Sequence, residues 1–303
     1  MQDCDARDVK LPLRIGARTL GHVRRRLARV RIGLEAALTD VVPALPALET
    51  GADGYLVNGL PDVWVEKVCG TGLRSWVRQS YRRHYAPLSG THDDYLAGFS
   101  AKTRSTLKRK LRKFADAAGG LDVRCYRTPE EVEAFHGLAR SVSALTYQER
   151  LLGAGLPEGE TARAELAQLA AADLVRGFVL FAAGRPVAYL HAPAEGETLL
   201  YQHLGYDPAF ASLSPGTVLQ MEAMRMLIEE GRFAWFDFTE GEGQHKALFG
   251  RGEIASVDLM LLRPTLSNRI AGHGLARFDR SVGLARTAAA RLGVERLARR
   301  LAR

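Results

Sequence analysis

Tyr201-Gln-His-Leu-Gly-Tyr-Asp207 opens the stretch that decides the fold. It is followed by Leu213-Ser-Pro-Gly-Thr217 and by Trp235-Phe-Asp-Phe-Thr-Glu-Gly-Glu-Gly-Gln-His-Lys246. The spacing of apolar and turn residues predicts, in order, a strand, a sharp loop, a helix over residues 216–230, a strand ending at Asp237 and a short helix. Most of the polar residues that can carry chemistry also lie in this stretch.

The segment Ser214-Pro-Gly-Thr217 has the residue types of a helix start that binds an anion. Proline presets the first turn, glycine lets another group approach the main chain closely, and the unpaired N–H groups of a first turn attract phosphate. Ser214, Gly216 and Thr217 are therefore candidates for binding a pyrophosphate or a nucleotide phosphate. An ordinary helix start has the same residues, and this alternative stays open.

Asp237 lies among aromatic residues at the end of its predicted strand. A carboxylate in such surroundings is poorly solvated, so it needs a charged partner or a raised pKa. Lys246 is the candidate partner. The pair is either a structural ion pair that fixes the loop or a catalytic or substrate-binding pair.

Tyr201 and His203 are candidate proton carriers on the strand before the loop. Because side chains alternate along a strand, both are predicted to face the same side of the sheet. A hydroxyl and an imidazole at one site can donate and accept protons. Core and edge positions are the alternative for both residues.

Outside this stretch the pattern predicts elements along most of the chain. Helices are predicted at residues 18–38, 93–118, 128–145 and 161–172, and strands at residues 53–59, 73–81, 121–126, 177–191 as a hairpin, and 255–263. Ser100 or Thr103 is expected to cap the second of these helices. Seven basic residues lie between Lys102 and Phe114, and Arg104 and Lys108 border the apolar stripe, which makes these two the donor-binding candidates.

Composition excludes several classes of protein. The 303 residues are 47% hydrophobic and 25% charged, and the three cysteines have neither a C-x-x-C pair nor metal-ligand spacing. We therefore expect no disulfide framework, no metal site and a cytoplasmic location. No apolar run reaches the roughly 18 residues of a membrane span, and the first residues lack the layout of a signal peptide, so any membrane contact is expected to be peripheral, at the inner face.

The net charge of +8 belongs mainly to the C-terminal tail. Residues 266–303 contain nine arginines and two acidic residues, Asp279 and Glu295. Phe278, Val282, Ala285, Ala289 and Leu292 repeat at helical spacing along this tail. The tail either packs on the rest of the chain or lies on an anionic surface, which could be RNA or a membrane.

The order of elements and three local patterns together carry a family resemblance. The patterns are Ser100-x-Lys-x-Arg104 at the start of the basic helix, Asp207 followed by Ser214-Pro-Gly216, and Asp237-x-x-x-Gly241 with Lys246 downstream. With them, residues 90–265 resemble the GNAT acyltransferase superfamily, and more narrowly its Fem-like branch of CelD-type, BioF-associated acetyltransferases.

The resemblance implies an α/β (α+β) fold, in which a mixed, mostly antiparallel sheet is flanked by helices and splayed between the strands at Tyr201 and Asp237. It implies that the donor's pantetheine arm enters the split and that the helix start at Gly216 faces the donor's phosphates. Ser214, Gly216 and Thr217 are then donor-binding residues, and Asp237 and Lys246 belong to the active site. The chain departs from the family where Ser214-Pro-Gly-Thr217 replaces the usual glycine-rich phosphate loop, and this leaves the donor open.

The resemblance implies an acyltransferase that moves an acyl group, in the first place acetyl, from acyl-CoA to an amine or hydroxyl of a small molecule, a sugar or a cell-envelope precursor. A Fem-like aminoacyl-tRNA-dependent transferase is the alternative, and a carrier-protein donor is also open. A non-catalytic scaffold in a polysaccharide-synthesis assembly is the alternative of another class. Three domains are expected: a helix and partial GNAT-like lobe at residues 1–90, as in tandem Fem-like proteins, the transferase domain at 91–265, and the arginine-rich tail at 266–303.

Overall fold

A computed structural model describes residues 5–15, 18–39, 41–69, 72–146, 149, 155–240 and 243–291 of the chain. The strands are β1 (Arg7–Ile15), β2 (Arg18–Arg31), β3 (Gly54–Pro61), β4 (Arg74–Pro87), β5 (Asp122–Tyr126), β6 (Val175–Ala182), β7 (Arg185–Glu195), β8 (Thr198–Leu200), β9 (His203–Tyr206), β10 (Trp235–Asp237) and β11 (Gly252–Leu262). The α-helices are α1 (Leu34–Ala37), α2 (Val65–Cys69), α3 (His92–Ala97), α4 (Ala101–Ala118), α5 (Pro129–Ser143), α6 (Glu160–Ala171), α7 (Pro215–Glu230), α8 (Gln244–Phe249) and α9 (Leu266–Arg291). Short 3-10 helices span Asp62–Trp64 and Pro208–Leu213.

The chain forms two compact units, and the boundaries fall within β4 and β11. Unit 1 consists of Met1–Arg82 and Ile254–Arg303, and unit 2 of Arg83–Glu253. These units differ from the predicted division at residues 90 and 265, because β11 pairs with β3 and brings the C-terminal segment back to the N-terminal one. The roles expected for the three predicted domains stay predictions.

Unit 1 is built on a mixed sheet. Strands β1 and β2 form an antiparallel hairpin, β2 runs parallel to β3, and β3 is antiparallel to β11. One face buries a cluster that includes Val57 and Leu259, and the other face buries Leu11, Leu27 and Leu275 of α9. The first part of the tail is therefore a helix that packs on the sheet of its own unit.

The helix predicted at residues 18–38 is wrong, because residues 18–31 form strand β2. Leu20, Val23, Leu27 and Val30 satisfy helical spacing, but β1 offers an alternating apolar strand as a partner, and pairing with it buries Leu27 completely. Tertiary pairing outweighs local propensity here, since propensity is only a weak determinant of structure. Strand β1 has no counterpart among the predicted elements.

Unit 2 has a mixed sheet flanked by helices, and the predicted fold class is confirmed. The strand order is β4-β10-β8-β7-β6-β5, with β9 paired to β7, and all pairs are antiparallel except β8 with β10. Helices α4 and α7 pack on one face over a large apolar core, and α5 and α6 pack on the other. The helix predicted over residues 93–118 is two helices, since the first ends at Gly98 and Ser100 caps the second.

Among the described residues, none of the helices combines the length and the apolar character needed to cross a bilayer.

Candidate active site

The sheet of unit 2 splits where β8 leaves β10. The two strands pair in parallel as far as Leu200 and Asp237, and their last main-chain link is the hydrogen bond from Tyr201 N–H to Asp237 O, at 2.8 Å. Beyond it, the Thr239 hydroxyl donates to Tyr201 O at 3.3 Å. The next N–H, of Gln202, donates to His191 O on the other side, and β9 stays paired with β7. The split therefore lies between the strands at Tyr201 and Asp237, as the resemblance implies.

A β-bulge at the split changes the direction of the side chains. The register of β7 shifts by one residue between its pairing with Leu199 and its pairing with His203. A bulge of this kind bends a strand and redirects its side chains. Tyr201 packs against Phe236 and Phe238 on the α7 face, whereas His203 stacks on His191 on the α5 face. The prediction that Tyr201 and His203 share a face is wrong, because simple alternation does not hold across a bulge.

Helix α7 begins in strained main chain. Ser214 has a φ of 56°, and its carbonyl oxygen accepts hydrogen bonds from the N–H groups of Thr217 and Val218. A side chain on Gly216 would place a Cβ 3.1 Å from Leu204 of β9, so glycine allows the helix start to lie against that strand. Such main-chain strain occurs preferentially at functional sites.

Two lysines of α4 reach the start of α7. Lys110 Nζ lies 3.3 Å from Thr217 Oγ1, and Lys113 Nζ donates to the carbonyl oxygen of Ser212 at 2.9 Å. Both carry positive charge next to the first turn of a helix, where the helix dipole also favours an anion. The structure therefore brings the predicted residues Gly216 and Thr217 together with two cations that are not among the predicted donor-binding residues.

Arg104 and Lys108 lie elsewhere on α4. Arg104 donates to the carbonyl oxygens of Ala97 and Phe99, at 3.3 and 2.6 Å, and Lys108 is exposed. The apolar stripe of α4 has two borders, and α7 begins beside the one that carries Lys110. The donor-binding role of Arg104 and Lys108 stays a prediction, and their contacts give it no support.

Asp237 is fully buried and pairs with Arg83, not with the predicted partner Lys246. Arg83 Nη2 and Nε lie 2.5 and 3.0 Å from Asp237 Oδ2, and the Thr239 N–H donates to Oδ1 at 2.8 Å. Lys246 Nζ donates to the carbonyl oxygen of Glu240 and lies 3.5 Å from Thr239 Oγ1. Arg83 lies on the adjacent strand β4, 154 residues before Asp237, so no local sequence pattern could identify this pair.

The residues nearest the split are Tyr201, His245 and Lys246. The ring centroids of Tyr201 and His245 are 5.9 Å apart, and Lys246 Nζ lies 5.6 Å from the centroid of the Tyr201 ring. The Nε2 atom of His245 is buried and has no hydrogen-bond partner. His245 is not among the residues predicted from the sequence, and its position directly before Lys246 in α8 is the signal that could identify it.

Burial sets the protonation of this cluster. Burial, together with the positive charges of Lys110 and Lys246, lowers the pKa of His245 to about 4. Burial also raises the pKa of Tyr201 and lowers that of Lys246. At neutral pH, His245 is therefore a neutral imidazole that can accept a proton, and Tyr201 keeps a proton that it can donate.

On the opposite face, the half-buried His191 and His203 form a stacked pair, with ring centroids 6.0 Å apart. Neither ring nitrogen of His191 has a hydrogen-bond partner, and burial, together with His203 and His136, lowers the pKa of His191 to about 3. Burial lowers the pKa of His203 as well. His203 therefore lies on the other side of the sheet from Tyr201 and His245. Its predicted catalytic role stays a prediction.

This burial predicts an acid-sensitive fold. Between the ordinary histidine pKa of 6.5 and the folded value of about 3, the unfolded chain binds a proton at His191 that the folded chain does not. Through His191 alone, we expect the free energy of unfolding to fall by roughly 1.4 kcal/mol for each unit that the pH decreases within this range. His191→Phe should remove this contribution and make the slope smaller. Urea denaturation at several pH values measures it, with the exposed His22→Phe as control. An unchanged slope in His191→Phe would contradict the assignment.

Within the described ranges, no group of three or more His, Cys, Asp or Glu residues is placed to hold a metal ion. The donor-binding role of Ser214, Gly216 and Thr217 stays a prediction, and Lys110 and Lys113 of α4 lie beside these residues.

Comparison with known proteins gives a consistent result. A family model for the acetyltransferase (GNAT) domain matches residues 101–247. The structure is similar to FemX, with a TM-score of 0.51 and 11% identity over 88% of this chain and 90% of that one. It is also similar to the C-terminal domain of a putative lysylphosphatidylglycerol synthetase from Agrobacterium fabrum, with a TM-score of 0.51 and 15% identity over 73% of this chain and 71% of that one.

A third similar structure is L-PGS from Bacillus licheniformis, with a TM-score of 0.50 and 14% identity over 75% of this chain and 73% of that one. At these identities the structural likenesses establish the fold alone. No curated protein matches the chain in sequence.

Proposed function

We propose, since residues 101–247 match a GNAT-domain family model and the fold is similar to that of FemX, that the chain transfers an acyl group from a phosphate-bearing donor to an amine or a hydroxyl. The observation that carries this proposal is the position of the Lys110 ammonium, 3.3 Å from the Thr217 hydroxyl at the first turn of α7 and beside the split. A cation and a helix start together attract the phosphate of a donor. The split leaves a path along which the acyl-bearing arm can run.

The donor that we propose is acyl-CoA, in the first place acetyl-CoA. Its phosphates would contact the Gly216 N–H, the Thr217 hydroxyl and the ammonium groups of Lys110 and Lys113, and its thioester would lie near Tyr201. Ser214-Pro-Gly-Thr217 replaces the usual glycine-rich loop, whose main-chain N–H groups would contact the donor's phosphates. In the proposed complex, Lys110 and Lys113 make contacts to the phosphates in place of some of these N–H groups.

In the proposed reaction, an acceptor nitrogen or oxygen attacks the acyl carbon, a new bond to that carbon forms, and the bond from the carbon to the donor's sulfur breaks. The proton of the attacking group passes to His245 Nε2, and Tyr201 gives its proton to the departing sulfur. The proton on His245 then returns to the tyrosinate, since the two rings are adjacent. The Lys246 ammonium stabilises the negative charge on the carbonyl oxygen. Asp237 and Arg83 hold the turn at Thr239 and do not touch the substrate.

Replacing Lys110 by glutamine tests the donor site. We expect this variant to bind CoA about 10- to 100-fold more weakly, because a hydrogen bond to a charged group contributes roughly 1.5–3 kcal/mol. Isothermal titration with CoA measures the change, and Arg109→Gln, which removes an exposed charge from the same helix, is the matched control. If the two variants bound CoA with equal affinity, the proposal that the phosphates bind at the start of α7 would be wrong.

An aminoacyl-tRNA donor is the second candidate, and the surface of α4 favours it. Lys102, Lys108, Arg109 and Arg112 are exposed on the helix that supplies Lys110, and a basic row of this length suits a nucleic acid backbone. Acetyl-CoA and longer acyl-CoAs should raise the melting temperature if CoA is the donor. Sensitivity of the activity to ribonuclease, with no thermal shift by any CoA ester, would select the tRNA donor.

The acceptor that we propose is a small molecule, a sugar or a cell-envelope precursor with a free amine or hydroxyl. The alternative from another class is a scaffold in polysaccharide synthesis that keeps the fold without the chemistry. A protein that binds neither CoA esters nor aminoacyl-tRNA would rule out both of these donors and would support the scaffold.

A further inference from the structure

Helix α9 has two opposite faces, and one of them packs on the sheet of unit 1. Asn268, Ala271, Gly272 and Leu275 are buried against the sheet, Gly272 lies directly beneath the Trp76 ring, and Asp279 pairs with Arg78 at 2.7 Å. Because an α-helix turns 100° per residue, residues 266, 270, 273, 277 and 284 lie on the other side. We call the side chains there the outer face of α9.

The outer face combines exposed apolar side chains with arginines. Leu266, Ile270 and Leu284 are exposed by 73%, 67% and 66%, which is unusual for large aliphatic side chains. Arg269, His273, Arg277 and Arg280 are exposed between and beside them. Leu266, Ile270 and Gly274 line a shallow groove together with Arg269, His273 and Arg277.

No negative charge opposes these arginines on the outer face. The only acidic residue between positions 266 and 285 is Asp279, which lies on the inner face and is paired with Arg78. Beyond position 285 the sequence adds six further arginines and one acid, Glu295. The face therefore presents positive charge and apolar surface along about five turns of one helix, since each turn takes 3.6 residues.

We infer that the outer face of α9 binds the surface of an anionic phospholipid bilayer, with the helix lying in the plane of the headgroups. Arginines along the helix would contact lipid phosphates, while Leu266, Ile270 and Leu284 would enter the boundary between headgroups and acyl chains. The observations favour a bilayer over RNA, because a nucleic acid backbone neutralises arginines but offers nothing to the three exposed aliphatic side chains.

Sedimentation of the full-length protein with lipid vesicles tests this inference. We expect the protein to sediment with phosphatidylcholine vesicles that contain one-third phosphatidylglycerol and to remain in solution with vesicles of phosphatidylcholine alone. Arg269→Gln/Arg277→Gln should weaken binding about thirty-fold, since each basic residue near an anionic surface contributes roughly 1 kcal/mol. Leu266→Ser/Ile270→Ser should weaken it at least about tenfold.

The control pair is Val41→Ser/Val63→Ser, which replaces side chains of unit 1 that are 72% and 74% exposed and lie outside α9. All six side chains are exposed, so unchanged melting temperatures would confirm that the variants fold. No sedimentation with anionic vesicles would overturn the inference. Binding that survives Leu266→Ser/Ile270→Ser and is abolished by competing tRNA would also overturn it, and would assign the face to RNA.

Discussion

Asp237→Ala is expected to lose about 3–5 kcal/mol of folding free energy, because it leaves the Arg83 guanidinium buried without its carboxylate. The side chain of Arg83 is 3% exposed and that of Asp237 is fully buried, so water cannot replace the missing partner. The Thr239 N–H also loses its acceptor, and Thr239 has a φ of 59°, which the hydrogen bond helps to hold. Urea denaturation followed by circular dichroism measures the loss.

Two further variants separate the ion pair from other effects. Arg83→Met/Asp237→Leu removes both charges together and should recover much of the stability, since apolar residues of similar volume often replace a buried pair at little cost. Asp116→Ala removes an exposed carboxylate from α4 and should change the free energy of unfolding by less than about 0.5 kcal/mol. If Asp237→Ala were as stable as Asp116→Ala and inactive, Asp237 would have a direct catalytic role, as the sequence first indicated.

The surroundings of Asp237 show which features of a site the local sequence can predict. Its aromatic surroundings correctly indicate a carboxylate that needs a partner, and the caps of α4 and α5 and the hairpin of β6 and β7 follow from residues close in sequence. The partner itself depends on the order of strands in the sheet. That order joins residues 154 positions apart and cannot be found from spacing along the chain.

In the candidate site, too, only the features with a local sequence pattern could be predicted. Gly216 and Thr217 were selected because a helix start has a local sequence pattern, but Lys110 reaches them only through the packing of α4 on α7. The bulge at Tyr201 and Gln202 has no local marker either, and it alone decides that Tyr201 and His203 face opposite sides. The helix prediction for residues 18–31 is wrong for a related reason, because pairing with β1 outweighs the helical spacing of the apolar residues in β2.

His245→Gln is expected to lower kcat by about 10²–10⁴-fold, the usual contribution of a general base, while the affinity for CoA stays within about twofold. The rate would be measured as thiol release from the acyl-CoA that stabilises the protein most, with the first acceptor found among amines and sugars. His22→Gln, at an exposed position of unit 1, is the matched control. His203→Gln tests the alternative base. If kcat fell by this factor in His203→Gln but not in His245→Gln, the general base would be His203 on the α5 face.

The pH profile distinguishes a base from a residue that only supports packing. Because burial lowers the pKa of His245 to about 4, the imidazole is neutral and able to accept a proton above that pH. The acid limb of kcat/KM should therefore lie near pH 4 rather than near the ordinary histidine value of about 6.5. Lys110→Gln removes one of the positive charges that lower this pKa, so the acid limb should move to higher pH in that variant. A limb that stays in place when Lys110 is replaced would contradict the assignment of His245 as the base.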